Sequence, residues 1–157
     1  GLLNICQCFL IQCFTGVRYS DLEKVNKSHI LKDTPQGWVL EIKKQSKTRL
    51  PLLLPLPPLA VKLIQTSFRV PTNQVYNREL KELMLLIGLE PERAANVTTH
   101  SGRHTFAVRG LNDLGFNYDE LAELMGHRNS NVTRKFYAKF DIRNKASLMN
   151  RWGQFFQ

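Results

Sequence analysis

Helix start and stop signals alternate between Thr99 and Tyr137, and this alternation constrains the fold more than any other part of the chain. Thr99 predicts the N-cap of a helix that ends near Gly115. His100 and Arg103 are three positions apart, so on this helix they would share one face. The imidazole and the guanidinium would then point towards the same object.

A second, shorter helix is predicted over residues 117–126. Asn117 and Glu120 have the spacing of a capping box at its start, and Gly126 predicts its end. His127 therefore lies on a turn just past a helix C-terminus.

Tyr137 follows His127 by ten positions, on a further helix of about two turns whose N-cap is predicted at Ser130 or Asn131. Each of these residues alone has a structural explanation, as a core histidine or a packed tyrosine. Together they form a set suited to one reaction. The positively charged groups would hold a phosphodiester, and the hydroxyl of the tyrosine would attack it.

The joint pattern HSGR, LMGH and Tyr137 resembles the signature of the tyrosine recombinases, the phage integrase family. The segment TGVRYSDL also resembles the first arginine box of that family, with Asp21 in its acidic position. The resemblance makes Arg18 the first catalytic arginine. It covers the chain from Thr15 to about Tyr137.

Arg18 lies at a junction that the residues alone predict. Gly16 ends the apolar helix before it, and Ser20 with Glu23 has capping-box spacing for the helix after it. A guanidinium held between two helix ends is stiff enough for bidentate phosphate binding. Without the resemblance, a surface arginine is the simpler interpretation.

Residues 38–42 and 52–56 predict two strands of a β-hairpin with a basic turn. A solvated charge cluster is the ordinary explanation for such a turn, which contains Lys43, Lys44, Lys47 and Arg49. The segment QSKTRLPLLLPL resembles the hairpin of the family, and this likeness selects Lys47, with Lys44 as the fallback. Pro51 departs from the pattern because proline removes a ladder donor.

The resemblance implies a role for each site residue. Arg18, Arg103 and His127 would contact the scissile phosphate, and His100 would be the general base. Lys47 would protonate the leaving 5′-oxygen, and Tyr137 would form a 3′-phosphotyrosyl link. No cofactor and no metal are implied.

The sequence predicts an α+β fold, mainly α-helical with a small β-hairpin or three-stranded sheet, and the resemblance implies the tyrosine recombinase catalytic-domain fold. Further helices are expected over residues 2–14, 59–68 and 78–89, the last capped by Asn77, and from Asp141 to Met149. Residues 88–99 are expected to be a loop. The C-terminal aromatic residues are expected to pack in cis or in trans: Trp152, Phe155 and Phe156.

The 157 residues predict a single domain. The resemblance implies that residues 1–157 are the catalytic domain of a longer integrase whose N-terminal core-binding domain is absent. The net charge of +9 suits double-stranded DNA as the partner. The resemblance implies a homo-tetramer on DNA, a monomer as an isolated fragment, and a cytoplasmic, nucleoid-associated bacterial protein. The apolar run at residues 1–14 is too short and polar for a membrane span. Its cysteines predict buried free thiols: Cys6, Cys8 and Cys13.

Three alternatives remain open on sequence alone. A type IB topoisomerase uses similar arginine, lysine, histidine and tyrosine chemistry, but only nicks and reseals. A non-catalytic module would bind duplex DNA in a salt-sensitive way without forming an adduct. A metal-dependent nuclease fits poorly, since no cluster of acidic ligands is evident in the sequence.

Overall fold

The computed structural model describes residues 1–25 and 30–155, with side chains except at residues 30–32. The chain divides into two compact units, residues 1–106 and 107–157. Helices dominate both, and the sheet is three-stranded and antiparallel. The predicted α+β fold class is therefore confirmed. The assignment of residues 1–157 to one catalytic domain stays a prediction.

The first unit is arranged around the apolar helix that was predicted over residues 2–14. The helices that begin in this unit are α1 Leu2–Thr15, α2 Tyr19–Leu22, α3 Pro58–Gln65, α4 Asn73–Leu86, α5 Pro91–Ala95 and α6 Ser101–Asn112. Helix α1 packs against α3 and α4, and its Ile5 and Ile11 are fully buried. Burying one such side chain contributes about 1.5–3 kcal/mol. Gly16 ends α1 in the left-handed conformation, at φ 70°.

The sheet of the first unit contains the predicted hairpin. Its strands are β1 Ile30–Thr34, β2 Gly37–Ile42 and β3 Leu52–Pro55, in the order β1-β2-β3. In the β2–β3 register Leu40 pairs with Leu54 and Ile42 with Leu52, and all four side chains are buried. Pro51 lies outside β3 and so does not interrupt the ladder, which removes the expected departure.

The second unit consists of the end of α6 followed by α7 Tyr118–Met125, α8 Ser130–Tyr137, a 3-10 turn Ala138–Phe140 and α9 Ile142–Gln154. The capping box of Asn117 and Glu120 is formed in both directions, and Gly126 ends α7 at φ 66°. The side chain of Asp141 caps α9 by accepting from the Asn144 N–H. These three local predictions are confirmed.

Two helix starts in the first unit were wrongly predicted. Helix α2 begins at Tyr19 with Arg18 as its N-cap and no side-chain cap hydrogen bond, so Ser20 lies inside the helix. Helix α4 begins at Asn73, so Asn77 lies inside it. The Asn77 Oδ1 atom instead accepts from the N–H of Thr99, 2.9 Å away.

Two other helix starts are displaced slightly. Helix α6 begins at Ser101 rather than after a cap at Thr99, whose Oγ1 accepts from Asn73 Nδ2 at 3.3 Å. Helix α8 is capped by Asn129, which accepts from the Asn131 N–H, rather than by Ser130 or Asn131. Asn129, one position before Ser130, is also a favoured N-cap residue and provides the cap that was expected there.

Other differences concern exposure and length. Ile87 and Leu114 each lie just past the end of a helix that was predicted to include them, and they are 68% and 66% exposed. The expected loop at residues 88–99 contains the short helix α5. Helix α9 continues five residues beyond Met149 to Gln154, so Trp152 is helical. Trp152 and Phe155 are exposed, and Phe156 lies outside the described residues.

The three cysteines are free thiols, as predicted, but only Cys8 is fully buried. Desolvation raises the pKa of Cys8 and of Cys13 to about 11, which disfavours the reactive thiolate. Within residues 1–25 and 30–155, no helix combines the length and apolar character needed to cross a bilayer.

Candidate active site

Arg18 is the N-cap residue of α2, directly after the turn that ends α1. Its Nη1 donates to Gln45 Oε1 at 3.0 Å. Gln45 is 2% exposed, and its Nε2 donates to the Leu50 carbonyl at 3.2 Å. The guanidinium is therefore attached to the turn of the β2–β3 hairpin, as well as to the predicted helix junction.

Arg103 lies in the first turn of α6 and is 2% exposed. Its Nη1 donates to the Gly16 carbonyl at 2.6 Å, which satisfies part of a buried charge. A Cβ at Gly16 would lie 2.7 Å from the Phe106 ring, so only glycine fits this αL turn. Arg103 and the turn that precedes Arg18 thus hold each other in place.

His100 precedes α6, and its backbone N–H donates to Thr98 Oγ1 at 3.2 Å. Although its side chain reaches solvent, the surrounding protein removes part of its water shell, and this lowers its pKa. Nearby positive charges lower the pKa further: Arg103, His104, Arg18 and Lys47. His100 is consequently neutral at neutral pH, the form that accepts a proton.

Lys47 is exposed in the turn of the β2–β3 hairpin, and its neighbour Ser46 is held by hydrogen bonds. The Asp21 carboxylate accepts from the Ser46 backbone N–H at 2.8 Å and from Ser46 Oγ at 2.9 Å. Lys24 Nζ is 2.8 Å from the same carboxylate and donates to the Lys44 carbonyl at 2.7 Å. These contacts fix the base of the turn.

The first unit thus brings together four of the six predicted site residues. Arg18, Lys47 and Arg103 all lower the pKa of His100 electrostatically, whereas Lys44 is not among the causes of that shift. Lys47 is thus one of the cations that act on His100.

His127 belongs to the second unit and follows the αL residue Gly126, as predicted. Its backbone N–H donates to the Ala122 carbonyl at 2.9 Å. Its Nδ1 lies 2.6 Å from Thr133 Oγ1, and Thr133 is completely buried in α8. The ring is therefore oriented by the helix that carries Tyr137, through a residue that the sequence interpretation did not identify.

Tyr137 is the last residue of α8 and is 4% exposed. The other three tyrosines donate their phenolic protons to protein acceptors. Tyr19 bonds the Pro71 carbonyl at 2.7 Å, and Tyr118 bonds Asp141 at 2.8 Å. Tyr76 is fully buried and bonds a glutamine side chain. Desolvation is the main cause that raises the pKa of all three, which disfavours each as a nucleophile.

Sequence reasoning missed the side chains that hold the candidates in place, above all Gln45 and Thr133. No sequence motif marks either residue, because each meets the side chain that it bonds only when the chain has folded. Asp21 was noticed only as a position in the arginine box, and its contacts with the hairpin turn were not foreseen.

The fold is that of the catalytic domains of tyrosine recombinases. The chain resembles the XerH site-specific recombinase bound to palindromic difH substrate, with TM-score 0.68 and 17% identity over 94% of this chain and 45% of that one. It resembles the catalytic domain of bacteriophage HP1 integrase, with TM-score 0.60 and 19% identity over 94% of this chain and 88% of that one. It also resembles the Tn1549 transposon integrase in complex with a circular intermediate DNA, with TM-score 0.56 and 17% identity over 83% of this chain and 53% of that one.

The model of the phage integrase family matches residues 4–143, and the chain belongs to this family. It spans about half the length of the XerH and Tn1549 chains, at 45% and 53%. No curated protein matches the sequence.

Proposed function

We propose that this chain carries the chemistry of site-specific DNA recombination, cutting and rejoining strands of double-stranded DNA with Tyr137 as the nucleophile. The observation that carries the proposal is the cationic surrounding of His100, to which Arg18, Lys47 and Arg103 all contribute. Membership of the phage integrase family and the net charge of +9 support the same conclusion.

In the cleavage step, the Tyr137 oxygen forms a bond to phosphorus while the bond from phosphorus to the 5′-oxygen breaks. His100 takes the phenolic proton, and Lys47 gives a proton to the leaving 5′-oxygen. Arg18, Arg103 and His127 neutralise charge that develops on the non-bridging oxygens.

The product is a 3′-phosphotyrosyl bond to DNA and a free 5′-hydroxyl. One phosphate ester replaces another, so a second 5′-hydroxyl reverses the attack and joins a new strand without ATP. Four copies of the chain, assembled on two DNA sites, would exchange the strands.

Covalent capture tests this function. The full chain is incubated with a pool of nicked duplexes of random sequence, denatured, and separated by electrophoresis. We expect a protease-sensitive protein–DNA adduct that persists in EDTA and maps to Tyr137 by mass spectrometry. Tyr137→Phe should abolish the adduct while duplex binding survives.

The rival functions give other results. Binding of duplex DNA without any adduct would indicate a non-catalytic module, and an adduct at Tyr19 or Tyr118 would contradict the nucleophile. Nicking and resealing of a captured site without exchange between two duplexes would indicate a topoisomerase-like enzyme.

A further inference from the structure

Gln12 is a polar residue in the middle of the apolar helix α1, and it is completely buried. Its Nε2 donates to the Val17 carbonyl at 3.1 Å and to the Thr99 carbonyl at 3.0 Å. Its Oε1 accepts from the Tyr76 hydroxyl at 2.8 Å. One side-chain amide thus makes three buried hydrogen bonds, and both of its ends are satisfied.

The two carbonyls belong to the residues immediately before Arg18 and His100. Gln12 therefore connects the backbones at two candidate catalytic residues. One of its two partners, Thr99, lies 87 positions away in the sequence. Carbonyl oxygens only accept, so the amide nitrogen must face them and its oxygen must face the Tyr76 hydroxyl. The two carbonyls thus fix the orientation of the amide, and the Tyr76 hydroxyl, which can donate or accept, donates to its oxygen.

Helix α6 approaches α1 closely at the same point. A Cβ added to Gly102 would lie 2.7 Å from Gln12 Cβ, so this approach requires glycine. The Thr99 N–H is held by Asn77 and its Oγ1 by Asn73, both on α4. Gln12 completes the bonding of Thr99, and the peptide that leads into His100 is held from α1 and α4.

We propose that Gln12, held by a further hydrogen bond from Tyr76, is a positioning residue that sets the separation of Arg18 and His100 for strand cleavage. The role of the two held residues rests on the proposed function. A misplacement of about 1 Å in a reacting group costs on the order of a hundredfold in rate, so losing this connection affects catalysis without any contact to DNA.

The test compares two glutamines on the same helix. Gln7 also donates through Nε2 to two carbonyls, those of Leu63 at 2.7 Å and Thr66 at 2.9 Å, next to no candidate residue. Gln12→Met and Gln7→Met both remove two donated bonds and keep the side-chain length, and Gln12→Met also removes the bond accepted from Tyr76. We expect Gln12→Met to lower the rate of adduct formation about a hundredfold on the duplex captured by the parent chain. Gln7→Met should leave the rate unchanged, and both variants should bind that duplex as the parent does.

A second measurement needs no DNA. The pKa of His100 is followed by NMR titration of its imidazole in the parent chain and in each variant. In Gln12→Met it should rise towards the ordinary value of about 6.5, since a His100 that is no longer held in place loses part of the desolvation that mainly lowers its pKa and part of its closeness to the neighbouring cations. In Gln7→Met it should equal that of the parent.

The two measurements separate the outcomes. A parent chain that forms no adduct on any duplex would count against the proposed function, and the titration would still test the positioning. Unchanged adduct formation and an unchanged His100 pKa in Gln12→Met would overturn the inference. If Gln12→Met does not fold, Tyr76→Phe removes only the bond to Oε1; a slower reaction then supports the inference, and parent-like values in both measurements overturn it.

Discussion

The two units hold their candidate residues by different means. In the first unit the bonds join distant parts of the chain: Arg18 and Gln45 are 27 positions apart, and Arg103 and Gly16 are 87 apart. In the second unit His127 is oriented by Thr133, only six positions away. A substitution at Arg18 or Arg103 therefore disturbs several elements at once, whereas one at Thr133 has a local effect.

The largest combined effect on cleavage and stability is expected for Arg103→Ala, in the first unit. It removes a donor to the proposed transition state, which commonly costs a hundredfold or more in rate, about 2.7–4 kcal/mol. It also leaves the Gly16 carbonyl without its buried partner, at a further cost of about 1–3 kcal/mol in stability. Cleavage of a suicide duplex and thermal unfolding measure the two losses. Arg103→Lys should restore little, since a point charge lacks the planar fork.

Arg18→Ala sharpens the comparison within that unit. Its guanidinium is only partly buried and bonds a side chain, so the loss of cleavage should be similar but the loss of stability smaller. Arg109→Ala, on the exposed face of α6, is the matched control and should change neither quantity much. Cleavage by Arg103→Ala at the rate of the parent would contradict its role.

Lys47→Ala should lower cleavage by about a hundredfold to ten-thousandfold, the usual contribution of a general acid. A 5′-bridging phosphorothiolate needs no protonation of its leaving group, so it should restore cleavage by Lys47→Ala but not by Arg18→Ala. Lys44→Ala is the neighbouring control and should cleave ordinary duplex normally. Equal rescue of the Arg18 and Lys47 variants would remove Lys47 from this role.

The contrast between the units also explains what sequence could predict. The capping box of Asn117 and Glu120 and the stop at Gly126 depend on neighbours within a few positions, and all were predicted correctly. The predicted caps at Asn77 and Thr99 were wrong because their polar groups bond each other and Asn73, across the gap between two helices.

For the candidate site, too, the sequence indicated residues in motifs but not the contacts between distant residues. The motifs identified the six candidates, but no spacing rule connects Gln12 with Thr99 or Asp21 with Ser46. These partners meet only after the helices and the hairpin pack. A polar residue in the middle of an apolar helix, such as Gln12, was the one available signal.

Thr133→Val tests the local arrangement of the second unit. It removes the hydroxyl bonded to His127 Nδ1 and replaces it with a methyl group in a fully buried position. The loss of one such bond is worth about 0.5–1.5 kcal/mol, so cleavage should fall by about tenfold or less. Thr133→Ser keeps the hydroxyl and should recover most of the rate. A hundredfold loss in Thr133→Val, with Thr133→Ser equally slow, would contradict a local effect.

The smallest effect is expected at Asp21, through stability at acidic pH. Desolvation raises its pKa, but the hydrogen bonds and charge of Lys24 and the bonds from Ser46 outweigh this and leave the pKa below its ordinary value. A carboxyl group with a depressed folded pKa stabilises the native state above its unfolded pKa of about 3.9, and this stabilisation is lost as the pH falls through the folded value. The parent should therefore exceed Asp21→Asn in unfolding free energy at neutral pH, and the difference should shrink on acidification below about pH 4. Chemical denaturation across this range measures it, with the exposed Asp113→Asn as control. A difference that does not change with pH would show that Asp21 holds the hairpin turn without its charge.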